Sequence, residues 1–387
     1  MRFRFNEEQR MLLESAERFL GEHSSSQVVR AAAELPSGVD LALWSRVTEE
    51  LGWQVVAIPE ACDGLGLGAV ELVILLEKLG ARLSPIPFFA SALAAMILRT
   101  VPTSPEQTRL FEALAGGAVV AFAHTDARPD WNEVGVKVSS AGAPHIAELN
   151  GEARYVIAGG VAEQLLVAAR GEGGVRLFSV PSDAPGVSVR HRPTVDQTRS
   201  LAEVTLTGVL VEPGCELAAD WERGLGVSLD MARILSAAEQ VGCAQEALDM
   251  TVAYVGERVQ FGRTIASFQA VKHKAADMML KVESARSLLY YAACTADAWL
   301  QGSADDQALR EAAAMVASAA GDTAFFVTGT GIQLHGGVGI TEEYDIQLYF
   351  KRARALEAYL GRPDESRERL AQMLLDGPEL EGTVHAA

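Results

Sequence analysis

The sequence predicts an α+β protein laid out in three parts, helical, then β, then helical. Three observations predict it. Apolar residues recur at helical spacing from about Asn6 to Leu114, short apolar runs cut by turn residues fill about Val119 to Val211, and long alanine-rich amphipathic segments occupy the chain from about Gly224 onward. The corresponding division is 1–116, 117–222 and 223–387. No repeat of 20–50 residues and no low-complexity tract interrupts that order.

Each part rests on particular stretches. "NEEQRMLLESAERFL" places apolar residues three and four apart, and "AVELVILLEKLGARL" does the same before a stop at Ser84-Pro85. Between them, "WQVVAIPEACDGLGLG" is a short apolar run followed by a glycine-rich turn. In the middle part the runs are cut at Asn150-Gly151, Gly159-Gly160, Gly173-Gly174 and Pro181, a spacing expected of a small antiparallel barrel or sandwich. The last part reads as helices at Leu229–Glu257, Ala266–Gln301, Asp305–Thr330 and about Tyr344–Tyr359, with a further one near Asp364–Leu375. Brief connections between long helices imply a bundle.

Composition narrows the class. Of 387 residues 49% are hydrophobic and 22% charged, ordinary for a globular protein with two or three domains. The net charge of −18 argues against nucleic acid or an anionic membrane as the main partner, since both demand concentrated Lys and Arg. Cys62, Cys215, Cys243 and Cys294 are scattered, which offers neither a zinc site nor a disulfide framework and fits a reducing cytoplasm. The opening "MRFRFNEEQR" lacks the apolar core of a signal peptide, and no uninterrupted apolar run reaches the roughly 18 residues of a membrane span.

Two stretches carry possible chemistry. In "ERVQFGRTIASFQAVKHKAADM", Arg258, Gln260 and Phe261 close one helix and Phe268-Gln269 open the next. An Arg beside an aromatic at such a break can hold a phosphate or flank a flat ring, or it is a charged helix end beside a core Phe. In "QLHGGVGITEEYDIQLYFKRARALEAYLGR", Gly336, Gly337 and Gly339 precede a helix and can turn backbone N–H groups toward an anion; ordinary helix–helix turns also use Gly. His335 reads as a packing residue rather than a base. Neither a Walker loop nor a strand–GxGxxG–helix unit occurs.

Together these two stretches resemble the signature regions of the acyl-CoA dehydrogenase family, as do "MARILSAAEQVGCAQEALDMTVAYVGER" and "EELGWQVVAIPEACDGLGLGAVELVILLEKLG". The resemblance covers essentially the whole chain. It implies an N-terminal helical domain, a middle β-barrel, a C-terminal four-helix bundle and an FAD cofactor. It also implies that Arg258, Gln260, Phe261 and Gln269, with Gln333, Gly336 and Gly337, reach the FAD of a neighbouring subunit. In "ARYVIAGG", which resembles the segment flanking the flavin, Tyr155 stands where a Trp is common and Ile157 where a Thr hydroxyl is usual. "AHTDARPD" (Ala123–Asp130) occupies the place of the family's TEPGAGSD-like loop.

The family reaction implies α,β-desaturation of an acyl-CoA thioester, with electrons passed to an electron-transfer flavoprotein. That chemistry needs a carboxylate within reach of the α-proton. Most family members place a Glu in the turn after the last signature helix, where this chain has Leu360 in "AYLGRP". A smaller set places it directly before an Arg on the first bundle helix, where this chain has Ala232-Arg233. Glu239 is the candidate substitute: seven residues on, about 700° of rotation returns it to the same helix face, roughly 10 Å along the axis. Its neighbours in "ILSAAEQVG" are apolar apart from Ser236 and Gln240, so it is expected to line the acyl pocket as a base or as a polar contact to the substrate tail or the structure. Glu343, Asp345 and Glu357 read as helix-surface charges. The resemblance leaves three roles open: a homotetrameric dehydrogenase, a non-catalytic or co-catalytic subunit of a heterotetramer that completes a partner's FAD site, and a flavin enzyme of diverged chemistry such as a desulfinase or oxidase.

Overall fold

The computed structural model describes residues 4–126, 131–140 and 146–375. Six helices come first: α1 (Glu7–His23), α2 (Ser26–Ala33), α3 (Leu41–Arg46), α4 (Ala69–Arg82), α5 (Phe88–Leu98) and α6 (Pro105–Ala115). A capping box starts α1, with the Gln9 N–H donating to Asn6 Oδ1 at 2.7 Å and the Asn6 N–H to Gln9 Oε1 at 3.0 Å. Every residue of α5 is buried, which is why "FFASALAAMIL" carries no polar stripe.

The middle of the chain forms β1 (Val120–Ala123), β2 (Val136–Ser140), β3 (Ala147–Ile157), β4 (Gln164–Gly171), β5 (Gly174–Pro181), β6 (Val187–Arg192), β7 (Leu201–Val211) and β8 (Glu216–Ala218). They make one eight-stranded sheet in the order β6-β7-β3-β2-β4-β5-β8, with β1 added onto β4. Most pairs are antiparallel, as the closely spaced turns require. The pairs β1–β4 and β2–β4 are parallel, however, which the turn spacing did not reveal.

The last part begins with α7 (Glu222–Glu257), followed by the two-residue strands β9 (Val259–Gln260) and β10 (Arg263–Thr264), and then α8 (Gln269–Leu300), α9 (Asp306–His335), α10 (Ile346–Ala358) and α11 (Pro363–Leu375). Three boundaries differ from the sequence expectation. α7 starts seven residues before Leu229, α8 starts at Gln269 because Ile265–Ser267 forms a 3₁₀ turn, and α9 runs past Thr330 to place Gln333 inside the helix. One membrane expectation also changes. α9 with the turn after it, Asp306–Ile340, is long and apolar enough to cross a membrane by length and composition alone, its apolar residues being interspersed with small polar ones. Its apolar face is instead packed within the bundle, with Leu309, Val316, Ala320, Ala324 and Val327 fully buried.

The N-terminal helices dock on the bundle through a glycine crossing. A Cβ at Gly80 of α4 would lie 2.3 Å from the Glu239 carbonyl oxygen, and one at Gly242 of α7 would lie 1.9 Å from the Glu77 carbonyl oxygen. Backbones approach this closely only where both helices lack a side chain at the contact. Beside the crossing, buried Glu77 accepts from Arg286 Nε at 2.9 Å and Tyr290 Oη at 2.8 Å, which ties α4 to α8. The expected consequence is sharp. Gly242→Ala forces α4 and α7 apart and lowers stability by about 1–3 kcal/mol. Gly256→Ala, where an added Cβ meets nothing within 4 Å, is neutral or slightly stabilising. Thermal melts of the two variants beside the parent check the contrast, and equal melting temperatures would remove the crossing as a constraint.

Candidate functional site

The seven residues expected at a cofactor gather at one end of the bundle. α7 stops at Glu257, and the hairpin β9–β10 turns at Phe261 (φ +54°) and Gly262 (φ +74°). Positive φ at both central residues is the type I′ geometry that matches strand twist in a two-residue hairpin. Phe261 carries backbone strain in that place and is 91% exposed. Its ring meets Phe268 edge-on at 6.2 Å, and the Arg263 guanidinium lies 4.0 Å over the Phe268 ring. Gln269 opens α8 immediately after.

α9 ends at the same place. Gly336 caps it at φ +66°, with its N–H donating to the carbonyls of Ile332 and Gln333. The Tyr254 ring of α7 stacks on His335 at 4.3 Å and its hydroxyl donates to the His335 carbonyl at 3.2 Å, which fastens the hairpin end of α7 to the glycine turn. His335 is buried, and its Nδ1 lies 2.7 Å from the Gly331 carbonyl, so it packs the helix end as expected. Burial pushes this imidazole below its ordinary value. By contrast Arg258, Gln260, Phe261, Gln269, Gln333, Gly336 and Gly337 are all exposed. They present one cationic group, amide side chains, an aromatic face and an open glycine backbone where an added Cβ meets nothing within 4 Å. That set suits a flat ring system bearing phosphates, so these residues fit FAD.

The two places where a base was sought converge. Arg233, next to Ala232 on α7, donates from Nε to the Leu360 carbonyl oxygen at 3.1 Å, and from Nη1 to Asp230 at 2.7 Å. Leu360 is 2% exposed and held at φ +64° in the turn between α10 and α11. The cavity beside it, lined by Arg233, Ser236 and Tyr359 among others, measures about 10 Å³. Burial lowers the Arg233 guanidinium to about 10 and raises the Asp230 carboxyl.

Aromatic side chains pack around that turn. The Tyr359 ring stands edge-on to Phe89 of α5 at 6.2 Å and to Trp131 at 5.1 Å. Trp131 also meets Tyr155 at 5.5 Å, and Tyr155 is held at φ +59°. His124 stacks on Phe122 at 4.7 Å, and burial lowers its imidazole to about 4, so it is neutral at physiological pH. In the expected Ala123–Asp130 loop, residues 127–130 lie outside the described residues.

Glu239 differs from the expectation. It is buried, but its surroundings are not simply apolar, because Arg199 from the loop before β7 donates Nη2 to its carboxylate. Arg199 in turn lies 5.0 Å over the Phe89 ring. Next to it, Arg352 of α10 donates from Nε to Asp196 Oδ2 at 2.6 Å and from Nη2 to the Thr198 carbonyl at 2.7 Å. The cavity beside Glu239 measures about 30 Å³, room for a water or two rather than an acyl chain. Burial and the neighbouring Arg352 charge push Arg199 down to about 9. Reading along one helix could not reveal a partner forty residues away in a loop. Arg352 was more legible, since it shares the buried stripe of α10 with Leu348 and Leu356.

Removing the Glu239 carboxylate leaves Arg199 buried without its counter-charge. Glu239→Ala is expected to cost about 3–5 kcal/mol, and an Arg199→Leu change on top of it to recover most of the loss. Denaturant unfolding of the single and double variants checks this, and strictly additive losses would show that the pair is not coupled.

Comparison with known proteins gives a consistent picture. Residues 6–118 match the sequence profile described as "Acyl-CoA dehydrogenase, N-terminal domain", and residues 223–375 match "Acyl-CoA dehydrogenase, C-terminal domain". The acyl-CoA dehydrogenase IpdE2 of Mycolicibacterium smegmatis is 34% identical over 365 residues, covering 94% of this chain and 98% of the relative. Among solved structures, a variant of the Tcur3481-Tcur3483 steroid ACAD is 31% identical with a TM-score of 0.85, covering 96% of this chain and 98% of the other. The ChsE4-ChsE5 complex from Mycobacterium tuberculosis is 27% identical with a TM-score of 0.87, covering 98% of this chain and all of the other.

Proposed function

The chain belongs to the acyl-CoA dehydrogenase family, and from that premise we propose that it is the co-catalytic subunit of a two-chain, FAD-dependent dehydrogenase of acyl-CoA thioesters. One observation carries the reading. In the turn where most of the family would place the carboxylate that takes the α-proton, this chain has Leu360, buried, with its carbonyl accepting from Arg233. Two of the similar structures bear paired chain names, which supports an assembly of unlike subunits. The steroid label on one of them supports a steroid-derived acyl group as substrate.

In this reading the division of labour follows from exposure. Arg258, Gln260, Phe261 and Gln269 with Gln333, Gly336 and Gly337 would hold FAD in a site shared with the neighbouring chain. FAD bound there supplies the hydride acceptor, and an electron-transfer flavoprotein would take the electrons onward. Arg258 contributes the fixed positive charge, Phe261 covers a ring face, and the Gly336-Gly337 backbone admits close approach. Glu239 is read as the structural partner of Arg199, because a base would have to give up that buried ion pair whenever it took a proton.

The assembly provides the test. A tagged copy of this chain, recovered from its own host, is expected to bring down one equivalent of a second acyl-CoA dehydrogenase chain that carries the missing Glu. Arg258→Ala should lower FAD retention by the complex roughly tenfold or more, the scale of one lost charge-assisted contact. Recovery as a homotetramer with full flavin would overturn the two-chain reading.

A further inference from the structure

One cavity is lined neither by Leu360 nor by any of the seven residues expected at the cofactor. It measures about 520 Å³ and opens between α2, the end of β6 with the loop after it, and α10. That volume is within the ordinary range for a small-molecule site, but the lining is polar where most such sites are apolar. Arg192 and His191 at the end of β6, Lys351 of α10 and Arg30 of α2 all line it, and Glu34 and Glu342 are the carboxylates that line it among the described residues. On a chain with a net charge of −18, four cationic side chains, Arg30, Arg192, Arg199 and Lys351, share one lining.

The state of those cations sharpens the point. Arg30 is paired with Asp345 at 2.6 Å and Arg192 with Glu203 at 2.7 Å, whereas Lys351 and His191 have no ion-pair partner among the described residues. Arg199 also lines the cavity, with its side chain only 9% exposed. Glu239 occupies one arm of that guanidinium, and Nη1 is left buried with no hydrogen-bond partner. A buried donor without an acceptor costs free energy that an incoming oxygen would recover. Thr194, Gln197 and Gln347 add neutral polar groups around the same space.

We propose that this cavity binds a small-molecule oxyanion, a phosphate ester or a polycarboxylate, seated between Lys351 and His191 at the rim and Arg199 at the floor. The proposal does not rest on the catalytic reading, since none of these side chains belongs to the cofactor loops or to the Leu360 turn. Loss of one charge-assisted contact to a bound oxyanion weakens binding about tenfold.

The test uses the full chain in its purified assembly and calorimetric titration at constant ionic strength with three probes: inorganic pyrophosphate, ADP and citrate. At least one probe is expected to bind saturably, one per chain. Lys351→Ala and Arg199→Lys should each weaken it about tenfold, while Lys137→Ala on β2, outside the cavity, leaves it unchanged. Arg199→Lys keeps a positive charge beside Glu239, and Lys351→Ala removes a side chain with no ion pair, so both variants should stay folded; circular dichroism checks this. Binding of pyrophosphate and ADP without citrate supports a phosphate ester as ligand, and citrate alone supports a polycarboxylate. Absence of saturable binding by all three probes, or binding that neither cavity variant weakens, would overturn the proposal.

Discussion

Two buried ion pairs, Arg199 with Glu239 and Arg352 with Asp196, sit where the three parts of the chain meet. Glu239 comes from α7, Arg352 from α10, Asp196 and Arg199 from the loop that leads into β7, and Phe89 of α5 lies under the Arg199 guanidinium. Moving four charges out of water is costly unless each finds a partner of opposite sign, so the cluster holds together only when helices and sheet are docked in one arrangement. That condition fixes how the Leu360 turn stands against α7, and hence what the neighbourhood of the expected base looks like. The Arg233 contact to the Leu360 carbonyl and the packing of Tyr359 between Phe89 and Trp131 both depend on that docking.

The family's fold is present in this chain, and the proposed function separates it from the family's usual mechanism. Features that shape this end of the bundle are present: the type I′ hairpin at Phe261-Gly262, the glycine cap at Gly336, and the Tyr254–His335 stack that joins them. In the proposed reading, the feature that would move a proton is absent. A scaffold can keep its packing while a site on it changes its chemistry, because packing is spread over many contacts and a proton transfer depends on one carboxylate.

Much of this was legible in the sequence, for reasons that differ by element. The order of helical, β and helical parts follows from periodicity, and it held because the runs are long and strongly patterned. His335 as a packing residue could be read directly. The parallel pairs of β4 could not, since turn spacing reports hairpins and says nothing of strands paired across a distance. The partner of Glu239 was also hidden. A helix wheel gives the face on which a residue lies, whereas Arg199 reaches that face from a loop forty positions away in the chain. The polar cavity between α2, β6 and α10 draws on three separate segments, so no single stretch of sequence announces it.

The central claim is that this chain lacks its own base for the α-proton, and anaerobic reduction of the flavin tests it most directly. The FAD-loaded complex is prepared with the second chain native and with that chain's catalytic Glu changed to Gln, then mixed with a panel of steroid-derived and straight-chain acyl-CoA thioesters while flavin absorbance is followed. Rapid bleaching of the flavin is predicted in the native complex and none in the Glu→Gln complex. Bleaching of the Glu→Gln complex by any of these thioesters would contradict the claim.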